Sequence, residues 1–230
     1  MPPDFNEEKK LWKKGYKRVA CIDEVGRGAL CGPVVAVAVF MNSNLKLKIQ
    51  KLKIKDSKKL TPKKREEFYK VLTKHPAINW GFGRVSEKII DKINILEATK
   101  LAMEKAVRRL EKKIQKDRIN IFSHGRERRC YSKAMVDFLI LDGKLKLNLP
   151  IPQKSIVKAD EKVFSCAAAS IIAKVTRDRL MEKYAKKFPA YGFERHKGYG
   201  TDQHRKALKK HGHCKIHRKS FRPIKTCKLK

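Results

Sequence analysis

Short β-branched apolar runs alternate along this chain with longer segments in which apolar residues return every three or four positions. The runs predict strands over 19–22, 34–40, 78–85, 138–141 and 155–157. Only a glycine-rich turn and Pro33 separate the first two, so they are expected to pair as antiparallel neighbours. Helices are predicted from Thr61, as N-cap, and Pro62, as first helical residue, to about residue 73, then over 94–116, 163–186 and around 203–210. In the second of these, Leu96, Met103, Val107, Leu110 and Ile114 form one apolar stripe, which core packing explains without any chemistry. The third opens rich in Ala and Ser, which lets a helix come close to a sheet. Residues 1–18 read as polar, with Trp12 and Tyr16 as their packing anchors, and 42–55 as a lysine-rich surface. Residues 116–133 read as an exposed charged insertion, and the chain beyond about 190 as turns followed by a basic tail. Alternating strands and helices indicate an α/β fold, and no repeat or Gly/Ser-rich linker divides residues 1–230 into more than one domain. Residues 1–17 form an N-terminal extension and 190–230 a basic C-terminal segment of it.

Charge narrows the function. Against 58 Lys and Arg stand 23 Asp and Glu, a formal net charge of +35. Such a surface binds polyanions by counterion release, so nucleic acid is the expected partner. No stretch approaches the roughly 20 apolar residues of a membrane span, and the opening M-P-P-D-F-N-E-E is not a secretory leader, so a cytoplasmic location without membrane contact is expected. Two classes remain, a nucleic-acid enzyme and an RNA-binding or ribosomal protein without catalysis. Cys21, Cys31, Cys130, Cys166, Cys214 and Cys227 form no C-x-x-C pair and read as reduced thiols. His211, His213, Cys214 and His217 match no standard zinc spacing and read as part of a solvated tail.

The chemistry concentrates at I-D-E-V-G-R-G-A-L-C-G, residues 22–32, where a buried strand delivers Asp23 and Glu24 into a glycine turn. An acidic pair at the end of an apolar strand in so basic a chain suggests divalent metal. Asp142 ends another apolar run and Asp160 follows the last short strand. Taken singly, Asp142-Gly143 is a turn dipeptide and Asp160 a helix cap. Taken together, four carboxylates at the ends of strands of one sheet would repel unless cations neutralise them, and oxygen ligands favour Mg²⁺ or Mn²⁺. A basic protein with that cluster is a nuclease candidate. Asp178, flanked by arginines, reads as a surface ion pair, and Asp56 as a local loop cap.

The motifs D-E-V-G-R-G, D-S-K-K-L, N-I-L-x-A-T-x-x-A-M, L-D-G, V-K-A-D, A-A-S-I-I-A-K-V-T-R-D and Y-G-F-x-x-H-K-G-Y-G-T occur in this order over roughly residues 18–223. In them the chain closely resembles bacterial ribonuclease HII. The arginine of D-E-V-G-R-G and the expected absence of a large N-terminal domain favour this type over ribonuclease HIII. The resemblance implies a ribonuclease H-like fold, a central mixed sheet flanked by helices with a helical C-terminal extension. It implies a monomeric endonuclease that cuts the RNA strand of RNA–DNA hybrids and cuts 5′ of single ribonucleotides in duplex DNA, leaving 5′-phosphate and 3′-hydroxyl ends. The metal-binding acids then fall on Asp23, Glu24, Asp142 and Asp160, holding two Mn²⁺ or Mg²⁺ ions. The reader of the ribose 2′-hydroxyl falls on Gly26, Arg27 and Gly28, and the tyrosine at the RNA-to-DNA junction on Tyr199. Lys58, Lys59, Lys174 and Arg177 are candidate phosphate contacts, and the C-terminal tail a candidate contact for a sliding clamp. A junction resolvase is the nearest alternative of related fold. The basic stretch 116–133 and the high lysine content depart from the family pattern.

Overall fold

The computed structural model describes residues 2–41, 54, 57, 60–122 and 136–226, the side chains of 117–122 and 226 excepted. In chain order the main elements are α1 (Asn6–Lys13), β1 (Val19–Val25), β2 (Val34–Met41), α2 (Pro62–Lys74), β3 (Ile78–Val85), α3 (Glu87–Phe122), β4 (Phe138–Asp142) and β5 (Gln153–Ile156). They are followed by α4 (Ala159–Lys162), α5 (Phe164–Lys187), α6 (Phe193–His196) and α7 (Asp202–His211). Among the described residues no helix is long and apolar enough to cross a membrane.

One five-stranded mixed sheet runs β3-β2-β1-β4-β5. β3, β2 and β1 are antiparallel neighbours, as the short link between the first two strands requires, and β1, β4 and β5 are parallel. Alternation along β1 sends Ala20 and Ile22 toward α3 and Val19 and Cys21 toward α5, so both faces of the sheet are covered. The α3 side packs closely through Gly81 and Gly83 of β3. A Cβ on Gly83 would fall 1.9 Å from the Ala102 carbonyl oxygen and one on Gly81 2.3 Å from the Leu110 nitrogen.

Thr61 caps α2 as expected, its hydroxyl accepting from the Lys64 N–H at 3.3 Å. The helix predicted to begin at Asn94 is the larger part of α3, which starts seven residues earlier. Asn94 sits at φ 64° and its Oδ1 accepts from the N–H groups of Leu96 and Glu97 at 2.9 and 3.1 Å, so it caps a new helical segment inside the run. Met103, Val107, Leu110 and Ile114 are buried as the stripe demands. Leu96 is not: in the first turn after the cap it is 41% exposed. Of the expected insertion at 116–133, α3 takes the first part, and residues 123–135 lie outside the described ones.

Two terminal segments differ from expectation. The N-terminal extension is a docked helix anchored by more than Trp12 and Tyr16. Phe5 is buried and stacks on Phe164 at 4.7 Å, and Leu11 is buried too. The basic tail is only partly solvated: His211 is exposed, while Ile216, His217 and Arg218 are buried, and residues 227–230 lie outside the described ones. Gly32 N–H donates to Ile216 O and Arg218 N–H to Leu30 O, laying residues 214–224 against the glycine turn over a core of Leu30, Cys31, Met181, Phe193, Leu208, Ile216 and Ile224. Cys21, Cys31, Cys166 and Cys214 are free thiols, while Cys130 and Cys227 lie outside the described residues.

Glu8 is the costly residue of the docked helix. It is almost fully buried, its Oε1 accepts from the Ser165 N–H at the start of α5, and burial lifts its carboxyl from 4.5 to about 7. A folded-state value above the unfolded one makes its contribution complete below about pH 4.5 and lost as pH rises toward 7. Glu8→Gln keeps the acceptor and removes the titration. Urea melts are expected to show Glu8→Gln gaining on the wild type between pH 5 and 8, by an amount bounded at about 3 kcal/mol. A difference that does not change with pH contradicts this assignment.

Candidate active site

Parallel pairing of β1 with β4 sets Ile22 opposite Leu141, so Asp23 and Asp142, one residue further on each strand, emerge side by side at the same end of the sheet. Asp160 arrives from the third parallel strand. After β5 the chain turns at Lys158, in the left-handed region at φ 57°, and Asp142 Oδ1 accepts from the Ala159 N–H at 2.6 Å, pinning the start of α4 to the end of β4. One carboxylate oxygen from each of Asp23, Asp142 and Asp160 then lies within 4.8 Å of the others, with Asp23 and Asp160 buried.

Asp23 bears a heavy electrostatic cost. Burial, then the facing Glu24, Asp142 and Asp160, push its carboxyl well above the usual carboxylate range, against a hydrogen bond from Ser170 on α5. Its Oδ1 also accepts from the Glu24 N–H at 2.7 Å. Glu24 is not one of the close trio, although its charge bears on Asp23 more than that of Asp142 or Asp160 does. Burial raises its pKa, Arg27 opposes that, and Asp142 adds to it. Arg27 Nη1 donates to Glu24 Oε1 at 3.3 Å, while Glu24 Oε2 is buried without a hydrogen-bond partner among the described residues.

Beside the acids, Gly26 adopts φ +92°, and a Cβ there would fall 2.2 Å from Arg177 Nε. Gly28 has open space where a side chain would be and no left-handed backbone, so nothing among the described residues requires glycine there. Tyr199 pairs through its main chain with Ala29, which brings its half-buried ring beside this turn, with the Arg177 guanidinium 5.4 Å from the ring centre.

Arg177 is not a phosphate contact. It is fully buried and donates to the carbonyls of Pro33, Lys197 and Cys31 at 3.0, 2.9 and 3.2 Å. Sequence reading missed its companion, Arg218, which lies in the stretch read as tail. Arg218, also fully buried, donates to Gly26 O at 2.7 Å, Arg27 O at 2.8 Å and Gly32 O at 2.9 Å. Burial lowers both guanidinium pKa values, that of Arg218 to about 10, which leaves it charged at neutral pH. Ser57 and Ser170 were missed as well. Their hydroxyls meet at 2.8 Å, joining the D-S-K-K-L stretch to the helix that supports Asp23. The serine between Asp56 and Lys58 was the available signal, masked by the lysines around it. Lys174, one turn beyond Ser170, pairs with Asp178 at 2.8 Å, so the expected ion pair of Asp178 is made with a lysine. Lys58, Lys59 and Asp56 lie outside the described residues.

The sheet, its order and its flanking helices are those of a ribonuclease H-like nuclease. The crystal structure of ribonuclease H2 from Pyrococcus horikoshii OT3 superposes with a TM-score of 0.65 at 26% identity, covering 91% of this chain and 96% of that one. Ribonuclease HII of Archaeoglobus fulgidus, solved in complex with PCNA, gives 0.60 at 25% identity over 89% of this chain and 95% of that one. The family model for Ribonuclease HII matches residues 20–224, and Ribonuclease HII of Alkaliphilus oremlandii is 42% identical over 219 residues, 95% of this chain and 97% of its own length. The chain belongs to the ribonuclease HII family, and it is accordingly a ribonuclease H, an endonuclease.

The two glycines of the turn are expected to respond differently to substitution. Gly26→Ala should lower stability by about 1–3 kcal/mol, from strained backbone and the displaced Arg177. Gly28→Ala should stay within about 0.5 kcal/mol of the wild type. Thermal and urea unfolding of both variants checks this, and equal losses would contradict it.

Proposed function

We propose that this chain hydrolyses the RNA strand of RNA–DNA hybrids and also cuts duplex DNA on the 5′ side of a single embedded ribonucleotide, leaving 3′-hydroxyl and 5′-phosphate ends. The observation that carries the reading is the close approach of Asp23, Asp142 and Asp160 within a protein of net charge +35. Asp23, Glu24, Asp142 and Asp160 would hold two divalent cations, Mg²⁺ or Mn²⁺. The residues suit that group. All the donors are oxygen, the carboxyl of Asp23 is raised by burial and then by its acidic neighbours, and Glu24 keeps a buried oxygen without a hydrogen bond among the described residues. When bound, such a pair supplies an activated water and charge stabilisation for the leaving oxygen.

The protein's own groups do the positioning. Ser170 and the Glu24 N–H orient the carboxylate of Asp23, and the Ala159 N–H orients that of Asp142. Gly26, Arg27 and Gly28 offer main-chain groups to a ribose 2′-hydroxyl, the one group that separates RNA from DNA. The open space at Gly28 supports this, since a side chain there would keep a sugar away from the backbone. Tyr199, beside that turn, packs against the next sugar and disfavours a second hydroxyl. Lys58, Lys59 and Lys174 contribute to phosphate binding, Lys174 while paired with Asp178. The C-terminal tail contacts a sliding clamp in this reading; that the Archaeoglobus fulgidus protein was solved in complex with PCNA supports a clamp contact. The chain acts as a monomer.

A duplex carrying one ribonucleotide tests the reading. Cleavage 5′ of the ribonucleotide is expected with Mg²⁺ or Mn²⁺ and none with a chelator. Asp142→Asn should lower the rate by about 10³-fold, the several kcal/mol of charge stabilisation that a metal site supplies, while hybrid binding survives. Turnover of that variant at the wild-type rate would contradict the assignment, and a pure-DNA junction cut in preference would favour a resolvase.

A further inference from the structure

Behind Tyr199 lies a set of buried imidazoles to which the chemistry above gives no part. His204 is fully buried, His217 nearly so, and their Nε2 atoms are 3.1 Å apart. The neighbouring hydrogen bonds fix which nitrogen carries each proton. His217 Nδ1 lies 2.9 Å from the Cys214 nitrogen and 3.3 Å from the Cys214 carbonyl oxygen; the shorter contact is to an N–H, which it accepts, so its proton is on Nε2 and points to His204. His204 therefore accepts at Nε2 and donates from Nδ1 to the main-chain carbonyl of Tyr199 at 3.0 Å. That carbonyl also accepts from the Thr201 N–H at 2.8 Å, and the Tyr199 N–H donates to His196 O at 3.0 Å. The ring planes are set by packing. His196 stacks on His204 at 4.4 Å, and Phe193 meets both rings edge-on. Burial lowers the pKa of His204 and His217 to about 4, so both are neutral in the cell's pH range.

Cys31 Sγ lies within 4.8 Å of both imidazoles, but the three do not make a metal site. Each of the imidazole nitrogens already has a hydrogen-bond partner, burial pushes the Cys31 thiol up to about 12, and the guanidiniums of Arg177 and Arg218 lie close by.

We propose that His217 and His204 are positioning residues for sugar discrimination: the directed chain Cys214 N–H to His217 to His204 to Tyr199 C=O fixes the Tyr199 ring against the glycine turn. The inference rests on the reading of Tyr199 as the residue that checks the sugar after the ribonucleotide. Only the neutral pair with these tautomers works. A second proton would turn both facing nitrogens into donors, and the opposite tautomer of His204 would present a lone pair to a carbonyl oxygen. The link 197–201 is also held by Arg177 on the Lys197 carbonyl, by the Leu30 N–H on the Gly198 carbonyl and by the pairing of Tyr199 with Ala29, and among the described residues His204 adds the one side-chain donor on the carbonyl of Tyr199 itself.

The test compares the cleavage rate at a single ribonucleotide followed by DNA with that within a run of ribonucleotides. Tyr199→Ala sets the scale. His217→Leu, which fills the space without donating, should lower the ratio roughly 10- to 100-fold, the cost of a misplaced contact group. His217→Gln, whose amide N–H can replace the Nε2 donor, should recover most of it. Nitrogen-15 spectra of histidine-labelled wild-type protein at neutral pH should show both rings neutral, His204 protonated on Nδ1 and His217 on Nε2. These spectra decide the matter should His217→Leu fail to fold. An unchanged ratio in folded His217→Leu, equal losses in the Leu and Gln variants, or other tautomers would overturn the inference while leaving Tyr199 in its role. An unchanged ratio in Tyr199→Ala would overturn both.

Discussion

Like charge held at short range is the constraint this fold is built to bear. Two ionised carboxylates 4.8 Å apart repel by about 3 kcal/mol at an effective dielectric of 20, and three of them meet here. Local propensity would scatter them. Sheet pairing holds them, because Ala20, Ile22, Leu139, Ile140 and Leu141 on the two central parallel strands are fully buried, and each large apolar side chain contributes about 1.5–3 kcal/mol. The apolar strands thus set the acids in place against their mutual repulsion. Divalent cations convert that repulsion into attraction, which is why so crowded a site suits them.

The glycine turn beside the acids is held by the opposite charge. Arg177 and Arg218 bury two guanidiniums behind it, and neither rests on a carboxylate in the contacts that define the turn. Their donors are taken up by main-chain carbonyls of residues 26, 27, 31, 32, 33 and 197. Those bonds draw the carbonyls inward and fix the outer profile of the loop. One arginine comes from α5 and the other from the C-terminal segment, so the turn is gripped from both sides. This also gives the helical C-terminal part a structural reason to fold back over the sheet's end.

Much of this was legible in the sequence, and the parts that were not share a cause. Strands β1, β2 and β4 announced themselves because strands covered on both faces are continuous apolar runs, while the polar edge strand β5, Gln153–Ile156, begins two residues before the predicted 155–157. The acids stood out against a lysine-rich background, and the ordered motifs led to the family. Polar residues whose burial depends on distant partners stayed hidden. Glu8 looked like surface, yet it meets the N-terminus of α5, 157 residues away. Arg218 looked like tail, yet its acceptors are nearly two hundred residues earlier. Nothing local distinguishes a lysine-rich tail from a segment whose arginine and histidine find carbonyls and imidazoles across the molecule. Leu96 shows the converse: a correct helical period misjudged one apolar residue, because the new segment starts at Asn94 and in its first turn Ile95, not Leu96, packs against the core.

The central claim is that these strand ends gather carboxylates in order to hold divalent ions, and anomalous scattering from crystals grown with Mn²⁺ tests it most directly. Two manganese peaks are expected between the oxygens of Asp23, Asp142 and Asp160, with the unpartnered oxygen of Glu24 turned toward one of them. Full Mn²⁺ saturation with no peak there, or with manganese bound only elsewhere on the surface, would contradict the account.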